Sequence, residues 1–173
     1  MVALITASPS NLSVHTYLAF PYFANRMFKL NLPEFDFKLK KAEGKLWIFD
    51  LIRKKFIVLT TEEWDRHHFL HYVINDLKYP RSLIKVESGL SYNQLSKRSD
   101  ILVYDQEANP WMIIECKSPT LKLSEKTVLQ ASAYNSSLRA KYVTISNGMV
   151  HYCAATDWVT GTTMLLRELP SHK

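Results

Sequence analysis

The sequence predicts an α/β fold with a mixed central β-sheet flanked by helices, and three observations carry that prediction. Two apolar runs of strand length, DILVY (100–104) and WMIIEC (111–116), stand close together in the middle of the chain. Two stretches that read as helices, 60–77 and 124–138, alternate with such runs. A hairpin signature follows: KYVTIS (141–146), Asn147-Gly148 and MVHYCAA (149–155). The order is β-β-α-β-β-β-α-β-β, the alternation expected of a layered α/β sandwich.

Taken in order, residues 1–29 mix aromatic and polar side chains without clear periodicity and read as an N-terminal appendage, with Met27 a plausible natural start. Residues 30–173 read as one domain. KLWIFD (45–50) and FIVL (56–59) have β character, and Arg53, Lys54 and Lys55 between them suit a hairpin connection. TTEEWDRHHFLHYVINDL (60–77) reads as a helix, with Thr60 as N-cap and Glu63 three residues on, as in a capping box. Pro80 closes it, and a strand is expected within 83–91. DQEANP (105–110) has the composition of a loop. Ser124 is the N-cap candidate of the second helix. Asn147-Gly148 predicts a type I′ turn.

Composition narrows the function classes. A chain of 173 residues fits one domain with a full core. It is 47% hydrophobic and 22% charged, ordinary for a soluble protein. Lys+Arg 22 against Asp+Glu 16 leaves a net charge of +6, which favours a polyanionic partner such as DNA. No apolar run is long enough to span a membrane, and the first residues lack the basic start of a signal peptide. Two cysteines, Cys116 and Cys153, form neither a metal cluster nor a disulfide framework, which suits a reducing cytoplasm.

The chemistry concentrates on the two central strands. If they pair as a hairpin with Tyr104 opposite Trp111, Asp100 falls opposite Glu115, with Cβ atoms roughly 5 Å apart. Lys117 leaves by the same face and Cys116 by the other. Their neighbours Ile101, Leu102, Val103, Met112, Ile113 and Ile114 are apolar, as in a sheet covered on both faces. Like charges directly opposite are destabilising, and a hard divalent cation between them removes the repulsion. A solvated strand-end pair with Lys117 as its ion-pair partner is the plainer alternative. On the second helix Gln130 and Tyr134 share a face. Gln130 suits a metal-bound water or a phosphate, and Tyr134 a nucleic-acid backbone. Glu63 is placed to approach the same metal, unless it serves only the capping box. His67, His68 and His71 invite a zinc reading, but they lack the H-E-x-x-H pattern and a third ligand.

Together, Asp100, I-I-E-C-K ending at Glu115 and Lys117, Glu63 on a preceding helix and Q-A-S-A-Y over 130–134 resemble the PD-(D/E)XK nuclease superfamily. From about Leu30 to Pro170 the chain resembles more closely the N-terminal nuclease domain of type I restriction enzyme R subunits. TTEEWDRHHFLHYVINDLKYP, KRSDILVYD, PWMIIECKSP and QASAYNSSL carry the likeness. Ser99 stands where the superfamily has its proline, and the first-helix pattern E-E-x-V-R-Q reads E-E-W-D-R-H here, with Arg66 kept and Asp65 and His67 different. No G-x-x-x-x-G-K-[ST] loop is present, so this chain does not itself carry the helicase motor.

The resemblance implies a restriction-endonuclease-like core and Mg²⁺-dependent cleavage of DNA phosphodiester bonds, with Mn²⁺ as a substitute. Asp100 and Glu115 are then the metal ligands, with the backbone carbonyl of Cys116 and Glu63 as further ones. Lys117 acts on the attacking water, and Gln130 positions it. Tyr134, Lys97, Arg98 and Lys122 are candidate DNA contacts, through phosphates that carry affinity and no sequence information. Weak sequence preference is therefore expected. DNA is the expected partner, together with motor or specificity subunits of a restriction system, and an oligomer is compatible. A DNA repair or recombination nuclease, and a non-cleaving nucleic-acid-binding or assembly module with the same fold, are the alternatives.

Overall fold

The computed structural model describes residues 29–89 and 98–172. The expected appendage 1–29 therefore lies, except for Lys29, outside the described residues, as does Lys97.

Two sheets enclose the first helix. β1 (Leu39–Ala42), β2 (Lys45–Asp50) and β3 (Lys55–Val58) form a three-stranded antiparallel meander. The helix α1 (Thr61–Asn75) follows, then a single 3₁₀ turn at Arg81–Leu83. β4 (Ile84–Gly89), β5 (Arg98–Tyr104) and β6 (Pro110–Cys116) come next, then α2 (Glu125–Tyr134). β7 (Tyr142–Ser146), β8 (His151–Asp157) and β9 (Thr162–Leu166) complete a six-stranded sheet of order β4-β5-β6-β7-β8-β9. Only β6 and β7 run parallel, and α2 is their crossover, as a parallel pair requires. The mixed α/β expectation holds.

β1 and β9 are additions to the expected order. LKKA has two lysines in four residues, and TTMLL sits beyond a polar turn, so neither has a strong strand pattern. Both lie at sheet edges, where one row of backbone groups is unpaired and polar residues are tolerated.

The central hairpin keeps the expected register over Ile101↔Ile114, Leu102↔Ile113 and Val103↔Met112. It slips at the turn end, where an irregularity after Val103 sets Tyr104 opposite Pro110 rather than Trp111. Proline has no N–H to give the ladder, and such a position suits a bulge. The slip lies at the far end from Asp100 and leaves the register from Ile101 to Val103 as expected.

Alternation then divides the sheet into two faces. Ile101, Val103, Met112, Ile114 and Cys116 pack against Phe69, Leu70 and Val73 of α1. On the other face α2 places Val128 against Val143, Ile145 and Ala154. Leu102 and Ile113 join Ala140 on that side.

Both helices are capped as their sequences foretell. Thr60 Oγ1 accepts from the Glu63 N–H at 3.1 Å, and Ser124 forms a reciprocal box with Thr127. The Glu63 side chain, however, turns to Arg66 instead of back to the cap.

The Asn147-Gly148 turn is not type I′. Gly148 has φ +77°, but Asn147 is not in the left-handed region that a I′ turn demands of both residues. Asn147 Oδ1 instead accepts from the N–H groups of Met149 and Val150, at 3.0 and 2.8 Å, an Asx-type closure. Its Nδ2 also donates to the Leu121 carbonyl at 2.7 Å, tying this turn to the segment before α2.

Candidate active site

Asp100 and Glu115 each lie one residue beyond the Ile101↔Ile114 pair, on the face of Leu102 and Ile113. The Asp100 carboxylate accepts a hydrogen bond from the Cys116 N–H at 2.7 Å. Glu115 is flanked in the parallel ladder by Ile145 and Cys116 by Ser146, and the Lys117 N–H continues that ladder onto the Ser146 carbonyl at 2.7 Å. Lys117 Nζ meets Glu115 Oε2 at 3.3 Å, and both side chains are partly exposed. The acid–acid–lysine set is therefore gathered at one end of two buried strands, open to solvent on one side.

Burial raises the Asp100 carboxyl above its ordinary value, against the pull of the Cys116 N–H and the charges of Arg66 and Lys117. Glu62 adds to the rise. Behind it, on the α1 face, Asp65 is fully buried, with Oδ1 accepting from the Ser146 hydroxyl at 3.3 Å and Oδ2 without a hydrogen-bond partner. Burial pushes the Asp65 carboxyl up to about 7; its bonds to Ser146 and Cys116 oppose this, and the charges of Asp100 and Glu62 add to it. The Cys116 thiol is raised further by complete burial and by the same acids, so it is a core side chain whose backbone serves the site.

Glu63 joins a second charged cluster. It pairs with Arg66, lies 3.7 Å from Arg53 Nη2, and has Oε2 3.5 Å from His67 Nδ1. Asp50, fully buried, accepts from Arg53 Nε at 2.8 Å and from the backbone N–H groups of Ile52 and Arg53. Burial alone would raise Asp50, but these bonds and the Arg53 charge hold it below its usual value. His67 Nε2 is 3.7 Å from Asp50 Oδ2, yet burial lowers the ring to about 4, so the contact is between a neutral imidazole and a carboxylate. The cluster joins the three-stranded sheet to α1.

Among the described residues, no hydrogen bond or ion pair joins the remaining candidates to Asp100. Gln130 and Lys122 are exposed, the former on α2. The side chains of Arg98 and Tyr134 fall outside the described set, as Lys97 does entirely. His67 and His68 are buried, with Nδ1 against the carbonyls of Glu63 and Trp64 at 2.8 and 2.9 Å. His68 and His71 pack against Phe35 and Phe37.

Sequence reasoning passed over Glu62, Asp65 and Asp50. A signal for two of them exists. The apolar stripe Phe69, Leu70, Val73 continued backwards by three and four residues reaches Asp65 and Arg66, where charges stand in place of apolar groups, and one more turn back reaches exposed Glu62. The two first-helix positions that depart from the restriction pattern, Asp65 and His67, are both fully buried.

Among the described residues no group of three or more His, Cys, Asp or Glu side chains is assembled as a metal cage. What the site offers is two hard carboxylates, a backbone carbonyl beside them and an adjacent ammonium. Comparison with curated proteins finds no match for the chain. The family model of the type I restriction enzyme R protein N terminus (HSDR_N) matches residues 61–170, a span that holds α1, the central hairpin, α2 and the β7–β9 strands. That match covers well over half of the sequence, and the chain belongs to this family.

Proposed function

We propose that the chain is a metal-dependent DNA endonuclease domain of a restriction system. The observation that carries the reading is the Asp100–Glu115–Lys117 set held by strand register, with a desolvated Asp100 at its centre. Two carboxylates and a carbonyl fit Mg²⁺, which takes one or two protein carboxylates and fills its shell with water and phosphate oxygens. Asp100, Glu115 and the Cys116 carbonyl would hold it. When bound, the ion supplies charge for the scissile phosphate and a bound water of lowered pKa.

The chain's own residues do the rest. The Cys116 N–H fixes the Asp100 carboxylate, leaving its other oxygen for a cation. Lys117, anchored through its N–H to Ser146, presents a compact ammonium beside Glu115 for the developing phosphate charge. Gln130 orients water, and Lys122, with Lys97, Arg98 and Tyr134, meets the DNA backbone. Motor and specificity subunits of a type I system are the corresponding protein partners.

The test is plasmid nicking with Mg²⁺ or Mn²⁺, with and without chelator, against Asp100→Asn. Metal-dependent nicking abolished by Asp100→Asn supports the reading. DNA binding without nicking in either metal would identify a non-cleaving module instead.

A further inference from the structure

The outward face of the three-stranded sheet lies outside the residues that the family model matches, and its composition is unusual. Cross-strand partners share a face, so Lys40, Trp47 and Val58 stand in one row and Phe49 and Phe56 in the next. Lys38 and Lys45 project on the same side by alternation. The opposite face carries Ile48 and Asp50, both fully buried toward the rest of the protein. Trp47, Phe49 and Phe56 are only half-buried, while Lys38, Lys40 and Lys45 are exposed.

Two of the rings touch, and Lys40 bridges one of them to the third. Phe49 and Phe56 pack edge-to-face with centroids 5.3 Å apart. Lys40 Nζ lies over both Phe56 and Trp47, at 4.4 and 5.6 Å from the centroids, and Lys38 Nζ lies 5.7 Å from Phe49. The indole N–H of Trp47 donates to the Ala42 carbonyl at 3.2 Å, which holds that ring in place. No strand residue on this face is acidic.

We propose that this face binds single-stranded DNA, with bases stacked on Trp47, Phe49 and Phe56 and phosphates held by Lys38, Lys40 and Lys45. Aromatic floors flanked by lysines suit single strands, because every base has a π-face and the unpaired backbone stays within reach of the ammonium groups. A duplex hides its bases from such a floor. The lysine stems are flexible, so an ammonium that covers a ring in the free protein can turn to a phosphate as a base takes its place. The three lysines alone would attract any polyanion; the rings select one with exposed bases. The surface belongs to a different sheet from Asp100 and Glu115 and does not depend on cleavage.

The experiment measures fluorescence anisotropy of a labelled dT20 strand with the full chain in chelator, so that nothing is cut. Trp47→Leu keeps an apolar side chain and removes the stacking face; about 5- to 150-fold weaker binding is expected, the range for one lost base–ring stack. Lys38→Gln, Lys40→Gln and Lys45→Gln combined should lower the salt slope by about 2, at ~0.7 per phosphate contact. An abasic strand of equal length should bind at least about tenfold more weakly than dT20. Equal affinity for dT20 and the abasic strand would show a general polyanion surface and overturn the proposal. So would affinities within twofold of wild type for both the Trp47→Leu and the triple lysine variants, each checked as folded by its melting curve.

Discussion

The Asp100 carboxylate accepts the Cys116 N–H at 2.7 Å, so one candidate metal ligand is also a structural acceptor for the strand that carries the other. Asp100→Ala therefore removes two things. It should abolish Mn²⁺ binding and cleavage, and it strands a buried N–H, costing about 1–3 kcal/mol. The relief of carboxylate repulsion, which sequence alone would put first, is the smaller effect here. Asp100→Asn keeps an acceptor oxygen and should hold stability within ~1 kcal/mol while losing Mn²⁺ affinity. Calorimetric titration and denaturant melts on both variants check this; unchanged Mn²⁺ affinity in Asp100→Ala and Glu115→Ala together would remove the site.

Lys117→Ala separates binding from chemistry. An ammonium offers only donors and is no metal ligand. Its contact with Glu115 is partly exposed, so the loss of that pair should cost little stability. Cleavage should fall about 10²–10³-fold, the usual cost of one preorganised charge at a reacting centre. Mn²⁺ should bind as well or better, because Glu115 loses a competing cation. Lys117→Arg should not restore the rate, since a planar fork does not replace a compact ammonium. A Lys117→Ala variant that cuts at the wild-type rate would reduce Lys117 to an ion-pair residue.

How much of this was legible beforehand follows from how local each signal is. The register of the central hairpin, which carries Asp100 and Glu115 to adjoining strand ends, could be read because side-chain alternation is rigid and both strands are apolar. The bulge at Tyr104 could not, because it depends on how Pro110 meets a strand it cannot bond. The I′ turn failed for a related reason: the Asn147 amide has a third partner, Leu121, 26 residues away. The helix that carries Glu63 was clear in sequence, but which of two adjacent acids faces Asp100 depends on the angle at which α1 lies on the sheet. Glu63 is drawn instead toward Arg66, Arg53 and His67, and Arg53 belongs to the small sheet's last hairpin.

Acid should destabilise the fold in the range set by its buried histidines. Burial lowers both His67 and His71 to about 4, from an ordinary value of 6.5. Between those values the unfolded chain binds protons that the folded chain refuses, so stability rises with pH from about 4 to about 6.5 and is lost as pH falls through that window. Fully buried His67 contributes up to ~1.4 kcal/mol per pH unit. Asp65, raised to about 7, and Asp100, raised by burial, act in the opposite direction, while burial also lowers His68 and His151, so the histidines outnumber the opposing acids. His71→Phe should make the acid limb shallower, with its ring remaining against Phe35 and Phe37. Urea melts in chelator from pH 4 to pH 8 measure the slope, and an identical slope in His71→Phe would refute a neutral, half-buried His71.

Of the two adjacent acids on α1, Glu63 should serve the fold and Glu62 the field at Asp100. Glu63 pairs with Arg66 and lies near Arg53 and His67, so its charge holds the cluster that joins the small sheet to α1. Glu62 is exposed, yet its charge acts on both Asp100 and Asp65. Glu63→Gln removes the carboxylate that pairs with Arg66 and one of two acids near Arg53, which keeps Asp50, and should cost about 2 kcal/mol of stability, below the figure for a fully buried pair because Glu63 keeps some solvent contact. Its effect on Mn²⁺ affinity should be small by comparison. Glu62→Gln should leave the melting temperature within about 1 °C, because an exposed helix position with no buried partner contributes little. It removes a negative charge from the field of Asp100, so Mn²⁺ affinity should weaken severalfold and cleavage with it. Thermal melts and Mn²⁺ titrations on the two single variants decide between the acids. If Glu63→Gln instead lost metal affinity at wild-type stability, α1 would have to present Glu63 to the site, and its pairing with Arg66 would not persist once a metal binds.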